Sequence, residues 1–257
     1  MISKAHLLVL LIAVPFVLSL TPMGWTQPAR LSPSCSNTTL LGNYGLLVSG
    51  TSVGNPIAIV GQIVADGNGG LTGMETVSDN GAIVNTAPVT GIYKISSKCA
   101  GTATITPQGG TAANYNLAAI SGGKVQLVRA DSGTVQSGVL QAQGVAACSG
   151  SIIKGTYGIQ QTGNLIGQGP LVFGGQIVLH ASGVLSGTRW GSVNGSISSG
   201  DVISGAYKID KRCFGAAVLG INNDSPTHYN LVVVDGGHGV LFLQVDEGTV
   251  ASGSWQR

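Results

Sequence analysis

Charge is scarce in this chain. Only 9% of the 257 residues are Asp, Glu, Lys or Arg, and the 12 basic and 10 acidic side chains are scattered, where a soluble domain ordinarily carries about a quarter. No run of Lys or Arg tracks a phosphate backbone, which argues against nucleic acid as a partner. Aromatic residues are also few, at 5%, so rings do not interleave with basic residues to stack bases, and any sugar-binding platform has to be small. No stretch shows a helical period with caps, which excludes crossover helices and with them a parallel sheet. A Gly-x-Ser-x-Gly elbow between strand and helix is lacking too, which points away from a hydrolase.

What is present describes a folded, turn-rich β protein. Hydrophobic residues make up 43% of the chain and there are 41 glycines, whereas a disordered chain is charge-rich and poor in Val, Ile and Leu. Residues 1–29 read as a signal peptide: Lys4 and His6 precede an apolar run from Leu7 to Leu20, with smaller residues towards Ala29. The run contains Pro15 and is shorter than the roughly 20 residues a bilayer span requires, which disfavours an uncleaved anchor. The expectation is a secreted, periplasmic or cell-surface protein with no membrane span in its mature form. A membrane barrel would need aromatic girdles that this composition does not supply.

Four cysteines follow the leader, at Cys35, Cys99, Cys148 and Cys213. Such wide spacings fit no paired metal motif, and an even count in an oxidising compartment favours disulfides. Three pairings are open, and the internal symmetry described next selects Cys35 with Cys99 and Cys148 with Cys213. Free buried thiols are the alternative.

Self-similarity is the strongest signal in the chain. Leu41-Gly42-Asn43-Tyr44-Gly45 returns as Lys154-Gly155-Thr156-Tyr157-Gly158, and Gly61-Gln62-Ile63-Val64 as Gly175-Gln176-Ile177-Val178. Gly91-Ile92-Tyr93-Lys94-Ile95 matches Gly205-Ala206-Tyr207-Lys208-Ile209, and Tyr115-Asn116-Leu117 matches Tyr229-Asn230-Leu231. Two units follow, residues 30–145 and 146–257. Turn signals such as Asp79-Asn80-Gly81 and Ser121-Gly122-Gly123 separate about eight strands per unit. In the first unit these fall near 42–50, 56–66, 70–79, 89–96, 99–108, 113–121, 124–131 and 134–143. Hairpin-linked strands leave two raw edges unless the sheet closes, so the expected fold is all-β, two tandem antiparallel up-and-down barrels of about eight strands each. The alternative is a β-sandwich in each unit. Glycines within strands, at Gly61, Gly73 and Gly101 and at Gly175, Gly187 and Gly215, fit the coiling of small barrels.

The order Leu/Lys-Gly-x-Tyr-Gly, Gly-Gln-Ile, Gly-x-Tyr-x-Ile, Cys-x-Gly and a final Gly-Thr-Val-x-Ser-Gly resembles a group of exported bacterial tandem-repeat proteins of unknown function. Their units are thought of as barrels of the allene oxide cyclase or avidin and lipocalin type. The resemblance implies a fold and carries no catalytic residue.

Candidate chemistry is thin. Asp66-Gly67-Asn68-Gly69-Gly70 places oxygen ligands as calcium loops do, but lacks a distal Glu, so a hairpin turn is the better reading. His180, His228 and His238 sit in different elements, and Asp131 and Asp246 are turn acids. No catalytic residue, metal or cofactor is therefore expected. The largest repeated side chains are Tyr44, Tyr93, Tyr115, Tyr157, Tyr207 and Tyr229. If they point into hollow barrels they line a cavity for a small apolar guest, and if not they fill the core. The sequence predicts a non-enzymatic protein that binds a small molecule or surface glycan or serves the cell envelope. A cyclase or isomerase acting on a small apolar substrate is the alternative.

Overall fold

A computed structural model describes residues 34–257 apart from 223; the leader reading lies outside the described residues. The first eight strands are β1 (Leu41–Ser52), β2 (Asn55–Asp66), β3 (Gly70–Asp79), β4 (Ala82–Ile95), β5 (Ala100–Pro107), β6 (Ala113–Ile120), β7 (Lys124–Arg129) and β8 (Thr134–Ala142). The next eight are β9 (Gly155–Leu165), β10 (Gly169–Leu179), β11 (Val184–Val193), β12 (Ser196–Ile209), β13 (Phe214–Ile221), β14 (Thr227–Val234), β15 (Gly239–Gln244) and β16 (Thr249–Gln256). Each strand pairs with the next antiparallel, β8 closes onto β1, and β16 closes onto β9. Two closed eight-stranded barrels result, and the sandwich alternative is set aside.

Turn chemistry fixes the registers. Asn80 and Gly81 both have positive φ (50° and 81°) between β3 and β4, as do Asn194 and Gly195 (47° and 84°) between β11 and β12. Such two-residue turns match the twist of the flanking strands. The β3–β4 hairpin is longer than its sequence suggests. β4 begins at Ala82 rather than near 89: a register shift between Glu75 and Val77 sets one extra residue into β4 and breaks the alternation that would have marked its first half. The in-strand glycines lie where neighbouring backbones crowd: a Cβ on Gly73 would stand 2.0 Å from the carbonyl oxygen of Gln62.

Inward residues of β1 to β8, among them Leu46, Ile63, Val89, Ile105 and Leu127, form one core, and Ile177, Leu185, Ile203, Leu231 and Trp255 belong to the second. One end of each barrel is closed by a 3₁₀ turn that the sequence did not announce, Asn37–Leu40 in the first and Gly150–Ile153 in the second. Leu40 and Ile153 plug these ends. The disulfides Cys35–Cys99 and Cys148–Cys213 bind the chain ahead of each turn to the same end of its barrel.

A third apolar cluster joins the barrels: Ala58 and Val60 of β2 pack with Val232, Val234, Leu241, Leu243 and Val250. Gly45 permits the approach, since a Cβ there would meet Val234 at 2.5 Å. Ser78 Oγ donates to Thr249 O (2.7 Å), Asn230 Nδ2 to Thr76 Oγ1 (2.9 Å) and Gln62 Nε2 to Arg212 O (2.5 Å) across the seam. Strands buried on both faces read as unbroken apolar runs, and β15 is buried at all six positions.

Candidate functional site

The six tyrosines are all buried, and the barrels divide them into two groups. Four serve the closed ends. Tyr93 Oη donates to Asn37 O (2.9 Å), Tyr207 Oη contacts Gly150 O and His180 O (3.1 and 2.6 Å), and Tyr157 Oη donates to Gly237 O. Tyr44 Oη makes a long contact of 3.5 Å with Thr39 O. The other two, Tyr115 on β6 and Tyr229 on β14, face the lumens towards the opposite ends.

Around Tyr115 the first barrel holds a polar group inside an apolar wall. Tyr115 lies opposite Arg129 across β6 and β7. The guanidinium sits 5.3 Å from its ring centroid, and Nη1 reaches Tyr115 Oη at 3.4 Å and Gln136 Oε1 at 3.5 Å. Arg129 Nε turns outward to pair with Asp131, whose carboxyl is held well below the usual range by Asn114 and Arg129. Glu75 on β3 shares the inward side of that strand with Leu71, a core residue. Its side chain is only 6% exposed, yet among the described residues its carboxyl receives no hydrogen bond and makes no ion pair.

The electrostatics follow from that position. Burial pushes the Glu75 carboxyl up to about 7, against the pull of the Arg129 guanidinium. Desolvation likewise raises Tyr115. A carboxyl largely withdrawn from water and left without protein donors favours its neutral form. Arrangements of this kind, a perturbed acid beside a hydroxyl and a cation within a concave fold, cluster at functional sites.

The second barrel places different groups at corresponding registers. Glu75 faces Gly61 across β2 and β3, and Arg189 faces Gly175 across β10 and β11. Arg129 faces Tyr115, whereas Gln244 faces Tyr229. Arg189 stacks on the Phe173 ring at 3.8 Å and lies 3.5 Å from Asp201, while its buried Nε lacks a hydrogen bond. Beside it, Gln161, Tyr229, Phe242 and Trp255 border a cavity of about 20 Å³, room for a single water. That interior is packed by side chains.

The other sequence candidates are dispersed. Asp66 Oδ1 accepts the amides of Asn68, Gly69 and Gly70 (2.7, 2.9 and 2.8 Å), which makes the loop a hairpin turn, and those bonds lower its pKa. His228 pairs with Asp246 at 2.8 Å by the start of β14, while His180 and His238 lie at the other end of that barrel, after β10 and before β15. Among the described residues no cluster of three or more His, Cys, Asp or Glu could hold a metal ion. Glu75 escaped sequence reasoning, although its parity with Leu71 and Gly73 in β3 was the available signal.

No protein-family model and no curated protein matches the chain. Among solved structures it is similar to kievitone hydratase from Nectria haematococca, with 7% identity, covering 88% of this chain and 94% of that one, at a TM-score of 0.26. A likeness that weak carries no argument about activity.

Proposed function

We propose that the protein is an exported, non-enzymatic binder of a small, mainly apolar molecule, and that the guest's polar end is received by Glu75 and Tyr115 in the first barrel. The observation that carries this reading is Glu75, a residue only 6% exposed whose carboxyl receives no hydrogen bond and makes no ion pair among the described residues. Leaving a buried polar group unmade costs about 1–3 kcal/mol, more for a charge. A guest hydroxyl or amine donating to Glu75 removes that penalty, while Tyr115 and Arg129 offer donors to a neighbouring oxygen. The core residues Val89, Ile105 and Leu127 supply apolar wall. Export through a leader at 1–29, with barrel domains at 30–145 and 146–257, belongs to the same reading and is supported by the two disulfides.

Native mass spectrometry of the chain purified from its own medium tests the proposal. The expected result is a discrete adduct that is lost on unfolding and absent from Glu75→Leu. A folded chain with no adduct, or an adduct that survives the substitution, refutes it.

A second reading, isomerisation or cyclisation of the same guest, is favoured by the Glu75 value near 7, which suits proton transfer at neutral pH. The two readings part on turnover: a binder returns its guest unchanged, and an enzyme returns an isomer of equal mass with a new retention time.

A further inference from the structure

The outer face of the second barrel carries an exposed aromatic platform, and a trough lined by a single charged residue lies further along the same sheet row. Trp190 on β11 is 57% exposed, unusual for the largest side chain in a chain so poor in rings. Across the ladder it faces Gly174. A Cβ on Gly174 would stand 3.6 Å from the indole Nε1 and 3.9 Å from Cε2, so the ring rests over the bare glycine backbone. The indole packs over the Gly174 backbone on one face and is open to solvent on the other.

From Trp190 a row of residues crosses the sheet to the seam between the barrels. Ser199 pairs with Trp190, Trp190 with Gly174, Gly174 with Gln160 and Gln160 with Ser254. Neighbouring strands lie about 4.8 Å apart, so the backbones of Trp190 and Gln160 are about 10 Å apart, with the indole leaning over the strand between them. Gln160 and Ser254 also line a trough formed where β1 and β8 meet β9 and β16. Three adjoining hollows of about 390, 230 and 430 Å³ make it up, linked through Ser49. Lys124 is the one charged residue lining them. Thr162 and Ser252 share the middle and last hollows. None of these hydroxyl and amide side chains hydrogen-bonds to another described group, so their donors and acceptors are free for a ligand.

We infer that Trp190 and the trough two strands away form a binding site for a neutral glycan chain long enough to reach both. Lys124 is the single cation along the trough, too little positive charge to hold a polyanion, whose phosphates or sulfates need several basic partners. A sugar ring offers an apolar C–H face to an exposed indole and a rim of hydroxyls to paired amides and hydroxyls, which matches an amphipathic platform flanked by Gln160, Thr162 and Ser254. This site lies on the outer surface and is independent of the Glu75 lumen.

Titration of the full chain with cellohexaose, chitohexaose and maltohexaose, read by calorimetry and tryptophan emission, tests the inference. At least one of the three binds and moves emission to shorter wavelength, because Trp190 is exposed and Trp255 is buried, and comparison with Trp190→Ala separates this signal from that of Trp25. Trp190→Ala abolishes both signals, Trp190→Phe retains binding, and the double variant Gln160→Ala/Thr162→Ala weakens it about tenfold. All three positions are surface sites, so a normal melting curve separates lost binding from lost fold. No binding of any of the three at millimolar concentration overturns the inference, as does binding unchanged in Trp190→Ala or lost only in Glu75→Gln. Self-association of the chain that Trp190→Ala dissolves, without sugar binding, assigns the face to a second copy and overturns it as well.

Discussion

Glu75 faces Gly61 across the β2–β3 ladder, and a Cβ on Gly61 would stand 3.1 Å from the Cβ of Glu75 and 2.6 Å from the carbonyl oxygen of Met74. The missing side chain on one strand gives space to the acid on the next. The same relation recurs between Gly175 and Arg189, where the added Cβ would meet the Arg189 Cβ at 3.0 Å. In each barrel a glycine makes room for the charged side chain that faces it across the ladder, Glu75 in the first and Arg189 in the second.

Gly61→Ala tests that relation through stability. Backbone on β3 must shift to accept the methyl, at a cost of about 1–3 kcal/mol. Gly150→Ala, where nothing lies within 4 Å of the new Cβ, is the control, and its effect stays within about 0.5 kcal/mol. Urea unfolding of both variants measures the difference.

The pH dependence of stability follows from Glu75. Its folded pKa, about 7, lies above the ordinary 4.5, so the folded chain binds more protons than the unfolded chain between those values. Stability is therefore fully present below about pH 4.5 and falls as pH rises towards 7, by roughly 3 kcal/mol from this group. Asp66 and Asp131, both held low, act in the opposite sense and lose their contribution as pH falls through the acid range. Subtracting the curve of Glu75→Gln from that of the wild type isolates the Glu75 slope.

The tyrosine groups separate by function. Tyr93→Phe removes the bond to Asn37 O and lowers stability by about 1 kcal/mol, with guest binding unchanged. Tyr115→Phe leaves the closed end intact and weakens the guest. Paired melting and native mass measurements on the two variants check the division.

Each disulfide closes a loop with a sequence separation of 64 or 65 residues, for which the chain-entropy account gives roughly 4 kcal/mol. Cys35→Ser/Cys99→Ser and Cys148→Ser/Cys213→Ser each lower the unfolding free energy by about 2–5 kcal/mol. Denaturant midpoints of the oxidised double variants measure it.

Barrel number, strand order and disulfide pairing were legible because they follow from local turn chemistry, period-two alternation and a visible internal symmetry. The start of β4 was hidden because a register shift beside Glu75 breaks that alternation. The closing 3₁₀ turns at Asn37–Leu40 and Gly150–Ile153 were hidden because four residues carry no periodic signal. Without those turns the roles of Tyr93 and Tyr207 could not be separated from that of Tyr115. The seam was written in the apolar run Val232-Val233-Val234 and in β15, but a run buried on both faces does not say which partner covers it. Glu75 and Arg129 come from strands far apart in sequence, so only the closed barrel brings them together.

The most direct test is a carbon-13 titration of the glutamate carboxyls. The chain contains two, Glu75 and the exposed Glu247, so labelled glutamate gives two resonances that substitution assigns. Glu75 is predicted to titrate near 7 in the empty chain and to shift when the guest binds. Titration near 4.5, as for an ordinary carboxyl, would contradict the account, because the acid would then be solvated or paired and the first barrel would hold no unmet polar group for a guest.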